Sequence, residues 1–208
     1  MSLPAQPPPN PPFQPTPVQQ PPFPTDLTWR WYHIVLAVYG AWLYGDRRGF
    51  RTRHHRQHVE GDYKNPPPRG RFAALEQRSR ESLKQPPVTL SPVWREVIGT
   101  ALRDRFMQLG SFVLCIAVAR QHVHLLAKTP RRLPRVWSGH AKRHAWFFAR
   151  DYSWQGKLWA KRGKPLPVVD RRHQLNVYQY ILRHLRDGAW VWDWMEHTKD
   201  PSGGASME

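Results

Sequence analysis

The spacing of apolar and polar residues predicts where the chain forms strands and helices. Four short segments are rich in β-branched and aromatic residues, which favours strands: 29–43, 112–119, 122–128 and 157–162. The second and third of these segments are separated by only two residues. We therefore expect them to pair as an antiparallel hairpin.

Three longer segments repeat apolar residues at steps of three and four, which predicts amphipathic helices: 91–108, 133–152 and 170–187. Ser91 and Pro92 are typical of a helix start, and Gly110 of a stop. Asp170 and Gly188 bound the last helix in the same way. A short helix is also expected within 73–83. The apolar positions of the first helix are Val93, Val97, Leu102 and Phe106, and those of the last are Leu175, Tyr178, Ile181, Leu182 and Leu185.

The order of these elements predicts the fold class and the domain limits. Strand, helix, paired strands, helix, strand and helix indicate an α+β fold with helices packed on an antiparallel sheet. Residues 29–198 can bury one core and form one domain. Residues 1–28 hold 11 of the 22 prolines, so we expect a disordered tail. Residues 199–208 form a second, flexible tail, and 47–90 a long basic insertion or arm.

The charge of the chain narrows the class of partner. There are 32 Lys and Arg against 15 Asp and Glu, a formal net charge of +17. The positive electrostatic field of such a chain favours binding to polyanions, either nucleic acid or an anionic membrane surface. The sequence has no apolar run of membrane-spanning length and no signal pattern, so we expect nucleic acid and no membrane. The single Cys115 excludes an intramolecular disulfide and fits a reducing, cytoplasmic location.

A pair of histidines is the first candidate for chemistry. On a strand, His122 and His124 project from the same face, while Val123 and Leu125 point into a core. Two neutral imidazoles side by side on a rigid sheet are a good half-site for a divalent metal. A His-x-His triplet also arises by chance, so the pair needs further context.

The last predicted helix supplies that context. Tyr180 lies about 200° from Tyr178 at 100° per residue, off the apolar stripe, and His184 lies one turn further along on the same side. Tyr178 is on the stripe and is expected in the core. A helix that presents Tyr180 and His184 together can add a third metal ligand beside a phenolic nucleophile.

These motifs resemble the HUH single-strand endonucleases, and most closely the single-tyrosine transposases of the REP-associated branch. The resemblance covers about residues 30–195 in order. It includes Tyr32-His33-Ile34-Val35-Leu36, the turn at 39–46, the histidine pair, Tyr180-Ile181 and the segment 188–191. The family holds its metal with the two strand histidines and an amide four residues after the tyrosine. His184 occupies that position here, and His184-Leu185 replaces the Asn-Pro of many relatives.

The resemblance implies a ferredoxin-like core and a specific activity. Mg²⁺ or Mn²⁺ would be held by His122, His124 and His184, and Tyr180 would form a 5′-phosphotyrosine with a free 3′-OH on the other fragment. The partner would be single-stranded or hairpin DNA in the cytoplasm, at a bacterial nucleoid, with a monomer or a homodimer building the site. Phosphates would be held by the basic loop, the second helix and the strand after it: Arg47, Arg48, Arg131, Arg132, Arg135, Lys142, Arg143, Lys161 and Arg162.

Two other functions fit parts of the sequence. A histidine-triad nucleotide hydrolase would need a third histidine where Leu126 stands, and it would not explain the charge. A non-catalytic protein that binds hairpin or single-stranded DNA, a transposase put to cellular use, remains open. Further histidines are read as solvated, phosphate-facing or surface residues, since neighbouring cations oppose a metal or a glutamate base is missing: His54, His55, His58, His140 and His144.

Overall fold

A five-stranded antiparallel sheet organises the computed structural model, which describes residues 28–46, 50 and 68–198. The strands are β1 (Trp29–Val38), β2 (Phe112–Val118), β3 (His122–Pro130), β4 (Trp159–Pro167) and β5 (Trp190–Asp193), in the order β4-β1-β3-β2-β5. The helices are α1 (Ala73–Glu81), α2 (Pro92–Gln108), α3 (Pro134–Asp151), α4 (Arg171–Arg183) and α5 (Trp194–His197), with a 3₁₀ turn at His184–Asp187. The predicted α+β class is confirmed, and β3 is the central strand.

The two faces of the sheet are covered by different helices. Val123 and Leu125 of β3 are fully buried in the larger core, which lies under α2 and α3. His122 and His124 project from the other face, where α4 packs over β2 and β3. The alternation expected around Val123 is therefore confirmed.

Helix α4 buries a face that matches its predicted apolar stripe only in part: Ile181 is buried, and Tyr178 and Leu182 pack against the smaller core. Its buried residues are Gln174, Val177 and Ile181, and they belong to the smaller core on the histidine face. Leu175 and Leu185, which were predicted on the stripe, are 43% and 64% exposed. The two sides of a mixed helix can both show steps of three and four, and only contact with the sheet decides which side is buried.

The helix ends follow the local sequence signals. The Ser91 side chain accepts a hydrogen bond from the Trp94 backbone N–H, and Asp170 accepts one from His173. Gly188 has φ of +71°, the left-handed conformation expected of a glycine that ends a helix. Helix α1 lies within the range predicted for it. Val93, predicted as an apolar core position of α2, is exposed.

Two strands, β1 and β4, end about five residues from the predicted positions. Strand β1 ends at Val38, before a turn in which Gly40 adopts φ of +74°. Strand β4 runs over Trp159–Pro167 rather than 157–162, through Pro165. Strand β4 is an edge strand that pairs only with β1. An edge strand tolerates proline because the N–H groups on its outer side form no hydrogen bonds to another strand. Strand β5 and helix α5 were not predicted.

Several sequence predictions concern residues outside the described ranges. They include the proline-rich tail up to residue 27, the final tail, and most of the basic insertion, with Arg47, Arg48, His54, His55 and His58. Within the described ranges, no helix has both the length and the hydrophobicity to cross a membrane.

Gly99 marks a close approach between α2 and Trp190 of β5. A Cβ atom at this position would lie 2.2 Å from Cζ3 of Trp190. We expect Gly99→Ala to destabilise the fold by about 1–3 kcal/mol through overpacking, which outweighs its gain in helix propensity. Gly139→Ala on α3 is the matched control, since a Cβ there meets nothing within 4 Å, and should stabilise by up to about 1 kcal/mol. Denaturant unfolding measures both, and equal effects would contradict the packing argument.

Candidate functional site

Three histidines from two separate segments meet on the α4 face of the sheet. His122 and His124 come from β3, and His184 opens the 3₁₀ turn that continues α4. One ring nitrogen of each lies within 4.8 Å of the other two. The His124 and His184 rings are nearly parallel, with centroids 4.7 Å apart. The predicted convergence of these three side chains is therefore present in the fold.

One ring nitrogen of His184 is buried without a hydrogen-bond partner among the described residues. This nitrogen, Nε2, makes no hydrogen bond to any of them. Its Nδ1 lies 3.8 Å from a carboxylate oxygen of Asp187. A buried polar atom without a partner is costly unless a ligand satisfies it. The three histidines therefore fit a divalent metal ion, with His184 offering Nε2.

Burial favours the neutral, metal-binding form of His124 and His184. Burial, followed by the neighbouring His122, His33 and His184, lowers the pKa of His124 to about 2. Burial also lowers the pKa of His184, although Asp187 opposes the shift. Burial removes the water that would stabilise a charged imidazolium, so the neutral ring is favoured. The neutral ring has a lone pair that can bind a metal.

Tyr180 stands at the edge of the histidine cluster and remains open to solvent. Its side chain is 39% exposed. Its ring meets those of His184 and His124 edge to face, with centroid distances of 5.0 and 5.3 Å. All four side chains come from one chain, so a single protomer brings the phenol and the imidazoles together.

Tyr178 occupies a different environment from Tyr180. Its ring packs against the smaller core, as predicted from the apolar stripe. Its hydroxyl donates a hydrogen bond of 2.5 Å to Oδ2 of Asp193, which ties α4 to the end of β5. Burial and this carboxylate raise the pKa of Tyr178 above its ordinary value. Of the two tyrosines on α4, Tyr178 therefore has a structural hydroxyl, whereas the phenol of Tyr180 is accessible.

His33 belongs to the same cluster, although sequence reasoning assigned it no role. It lies on β1, and its Nε2 is 2.9 Å from Nδ1 of His124. Its ring centroid lies 5.9 Å from that of Tyr180. Burial, more than the nearby His173, His184 and Lys164, lowers its pKa to about 4. The alternation in β1 could have placed His33 on the polar face, but only the β1–β3 register brings it to His124.

Three of the predicted DNA-binding cations line one cavity. Arg135 and Lys142 of α3 and Lys161 of β4 surround about 280 Å³. Gly163, which also lines the cavity, pairs with the buried Leu36, so the cavity lies on the sheet face opposite the histidines. Lys142 donates a hydrogen bond of 2.6 Å to the Ala160 carbonyl, and burial lowers its pKa.

The other predicted cations lie outside this cavity. Arg131 and Arg132 are exposed in the turn between β3 and α3, and Arg143 is exposed on α3. The side chain of Arg162 is not among those described. The two helical histidines of α3 lie outside the histidine cluster: His140 is exposed and His144 is half-buried.

Comparison with known proteins leaves the geometry as the main guide to function. No protein-family model matches the chain, and no curated protein is significantly similar to it. The arrangement nevertheless has a defined chemical capacity: three imidazoles that could hold a metal ion, beside an accessible phenol.

Proposed function

We propose that this chain is a metal-dependent single-strand DNA endonuclease and strand transferase, similar to the HUH single-tyrosine transposases of the REP-associated branch. It would act beside DNA hairpins through a 5′-phosphotyrosine intermediate. The observation that carries the proposal is the meeting of three histidine nitrogens with the exposed Tyr180 on one sheet face. A metal site alone serves many purposes, but a phenol at its rim favours nucleophilic attack on a bound phosphate.

The chemistry of Tyr180 follows from its position. Its hydroxyl oxygen forms a bond to phosphorus and gives its proton to solvent. The bond between phosphorus and the 3′ oxygen breaks, and that oxygen takes up a proton to become a free 3′-OH. The protein is then linked to the 5′ end of the downstream fragment. Attack on the same phosphorus by another 3′-OH reverses the step and transfers the strand without a nucleotide cofactor.

His122, His124 and His184 would hold the metal. A bound divalent ion supplies Lewis acidity, which polarises a non-bridging oxygen of the scissile phosphate. An all-imidazole set suits borderline metals, whereas Mg²⁺ prefers oxygen ligands and a full octahedral shell. Of the two metals that the family resemblance implies, we therefore expect Mn²⁺ to bind this site more tightly than Mg²⁺.

The basic surface supports the proposed binding to DNA. The net charge of +17 favours a polyanion, and the Arg135–Lys142–Lys161 cavity is large enough to receive a phosphate group. Contacts of this type position a nucleic acid without reading its sequence. We propose that the cavity holds backbone phosphates of the DNA hairpin.

The proposed function is tested by the polarity of a covalent adduct. A single strand that carries a hairpin is incubated with the wild-type chain and Mn²⁺, labelled at either its 3′ or its 5′ end. We expect the 3′-labelled fragment to migrate with the protein under denaturing conditions, and the 5′-labelled fragment to be released with an extendable 3′-OH. DNA binding without either product would favour the non-catalytic DNA-binding function.

A single charge reversal tests the basic cavity. We expect Lys161→Glu to weaken hairpin binding about equally for all sequences and to reduce the slope of log affinity against log salt by about 1. Lys161 is exposed, whereas Lys142 is half-buried and a carboxylate there would disturb the fold. Fluorescence anisotropy at several salt concentrations gives both quantities.

The matched control is Arg150→Glu, which makes the same charge change at the far end of α3. It lies eight residues beyond Lys142, about 12 Å along the helix. We expect a smaller loss of affinity and an unchanged slope. Equal effects of the two variants would mean that net charge alone, rather than the cavity, determines binding.

A further inference from the structure

The hydrogen bond between His33 and His124 lies directly behind the proposed metal site. In the β1–β3 register Val35 is opposite His124, so His33 reaches His124 from two residues along on the same face. The two ring centroids are 5.1 Å apart, and Nε2 of His33 is 2.9 Å from Nδ1 of His124. A separation of this length indicates a hydrogen bond, which requires one proton between the two nitrogens.

The position of that proton decides whether His124 can bind a metal. A neutral imidazole carries a hydrogen on one nitrogen and a lone pair on the other. If His33 donates, the hydrogen of the His124 ring must sit on Nε2, and its remaining lone pair already points at His33. If Nδ1 of His124 donates, Nε2 keeps its lone pair and is free for a metal.

We propose that His33 is a positioning residue that accepts a hydrogen bond from Nδ1–H of His124 and thereby fixes the metal-binding tautomer and the ring orientation of His124. The inference rests on the proposed metal site. Partners of this type hold ligating histidines in many metal sites, where a carboxylate or a backbone carbonyl usually accepts the proton. Here a second imidazole takes that place, because the neighbouring strand offers His33.

The role of His33 follows from the sheet rather than from the helix. Its ring is held by β1, which pairs with β3 along the whole histidine segment, from Ala37 opposite His122 to His33 opposite Leu126. The acceptor and the donor therefore move together with the sheet. Tyr180 and His184 come from α4 and the turn after it, so their positions depend on helix packing instead.

Two variants of His33 separate hydrogen bonding from packing. His33→Phe keeps a planar ring but removes the acceptor, and His33→Gln keeps an acceptor of similar reach. We expect Mn²⁺ binding to weaken about 10- to 100-fold in His33→Phe and to remain within about threefold of wild type in His33→Gln. Calorimetric titration with Mn²⁺ alone measures the affinity, and thermal unfolding of the metal-free variants checks the fold.

A spectroscopic measurement on the wild-type chain needs neither a variant nor DNA. Nitrogen-15 NMR of the metal-free protein should show Nδ1 of His124 protonated and Nε2 unprotonated. The opposite tautomer would overturn the proposal, as would wild-type Mn²⁺ affinity in His33→Phe or equal losses in the two variants. A chain with the expected tautomer and metal affinity but no DNA cleavage would contradict the proposed function while leaving the role of His33 intact.

Discussion

Replacing Tyr180 by phenylalanine is expected to abolish the covalent protein–DNA adduct while leaving the fold and DNA binding intact. The substitution removes the only atom that the proposed step needs from this side chain, the phenolic oxygen. Loss of a nucleophile typically lowers the rate by many orders of magnitude, and we expect at least about 10³-fold here. The adduct is measured with a hairpin-bearing single strand and Mn²⁺ on a denaturing gel. Because the ring is partly exposed, unfolding should change by less than about 0.5 kcal/mol.

Tyr178→Phe is the matched control and should have the opposite profile. Its hydroxyl donates to Oδ2 of the buried Asp193 carboxylate, and removal leaves that oxygen without this donor, although Oδ1 still accepts from the Met195 N–H. We expect a loss of about 1–3 kcal/mol in the free energy of unfolding, with the adduct retained. An adduct that survives in Tyr180→Phe and disappears in Tyr178→Phe would reverse the assignment of the nucleophile.

Replacing His122 by alanine is expected to remove metal binding and cleavage together. The three histidines are the only cluster of potential metal ligands among the described residues, so two remaining imidazoles would leave the ion weakly held. The loss of Mn²⁺ affinity should exceed the roughly 10- to 100-fold effect of removing a hydrogen-bond partner such as His33 from behind a metal ligand. Chelation of the wild-type chain should give the same loss of cleavage, and added Mn²⁺ should restore it at lower concentration than Mg²⁺.

Two variants control this result. His140→Ala removes an exposed histidine of α3 and should leave metal affinity and cleavage unchanged. His184→Asn places an amide at the third position and should shift the metal preference towards Mg²⁺, because an amide oxygen is a harder ligand than an imidazole. Full cleavage by His122→Ala in the presence of a chelator would contradict metal dependence.

Elements with strong local signals could be predicted from the sequence. The Ser91 and Asp170 caps and the hairpin strands around His122 follow from side-chain chemistry within a few residues. The alternation around Val123 also placed His122 and His124 on one face without knowledge of their neighbours. Strand β5 is only four residues long and has no such signal, and its pairing with β2 depends on the completed sheet.

The sequence could determine those parts of the site that depend on periodicity along a single strand or helix. The strand period placed His122 beside His124, and the helix period placed Tyr180 beside His184. The stripe of α4 also separated Tyr178 from Tyr180, but tertiary structure alone decided that the Tyr178 hydroxyl bonds to Asp193 and that Leu175 and Leu185 stay exposed. Tertiary structure also brought His33 to His124, across 91 residues, since strand register is a property of the paired sheet and not of either strand.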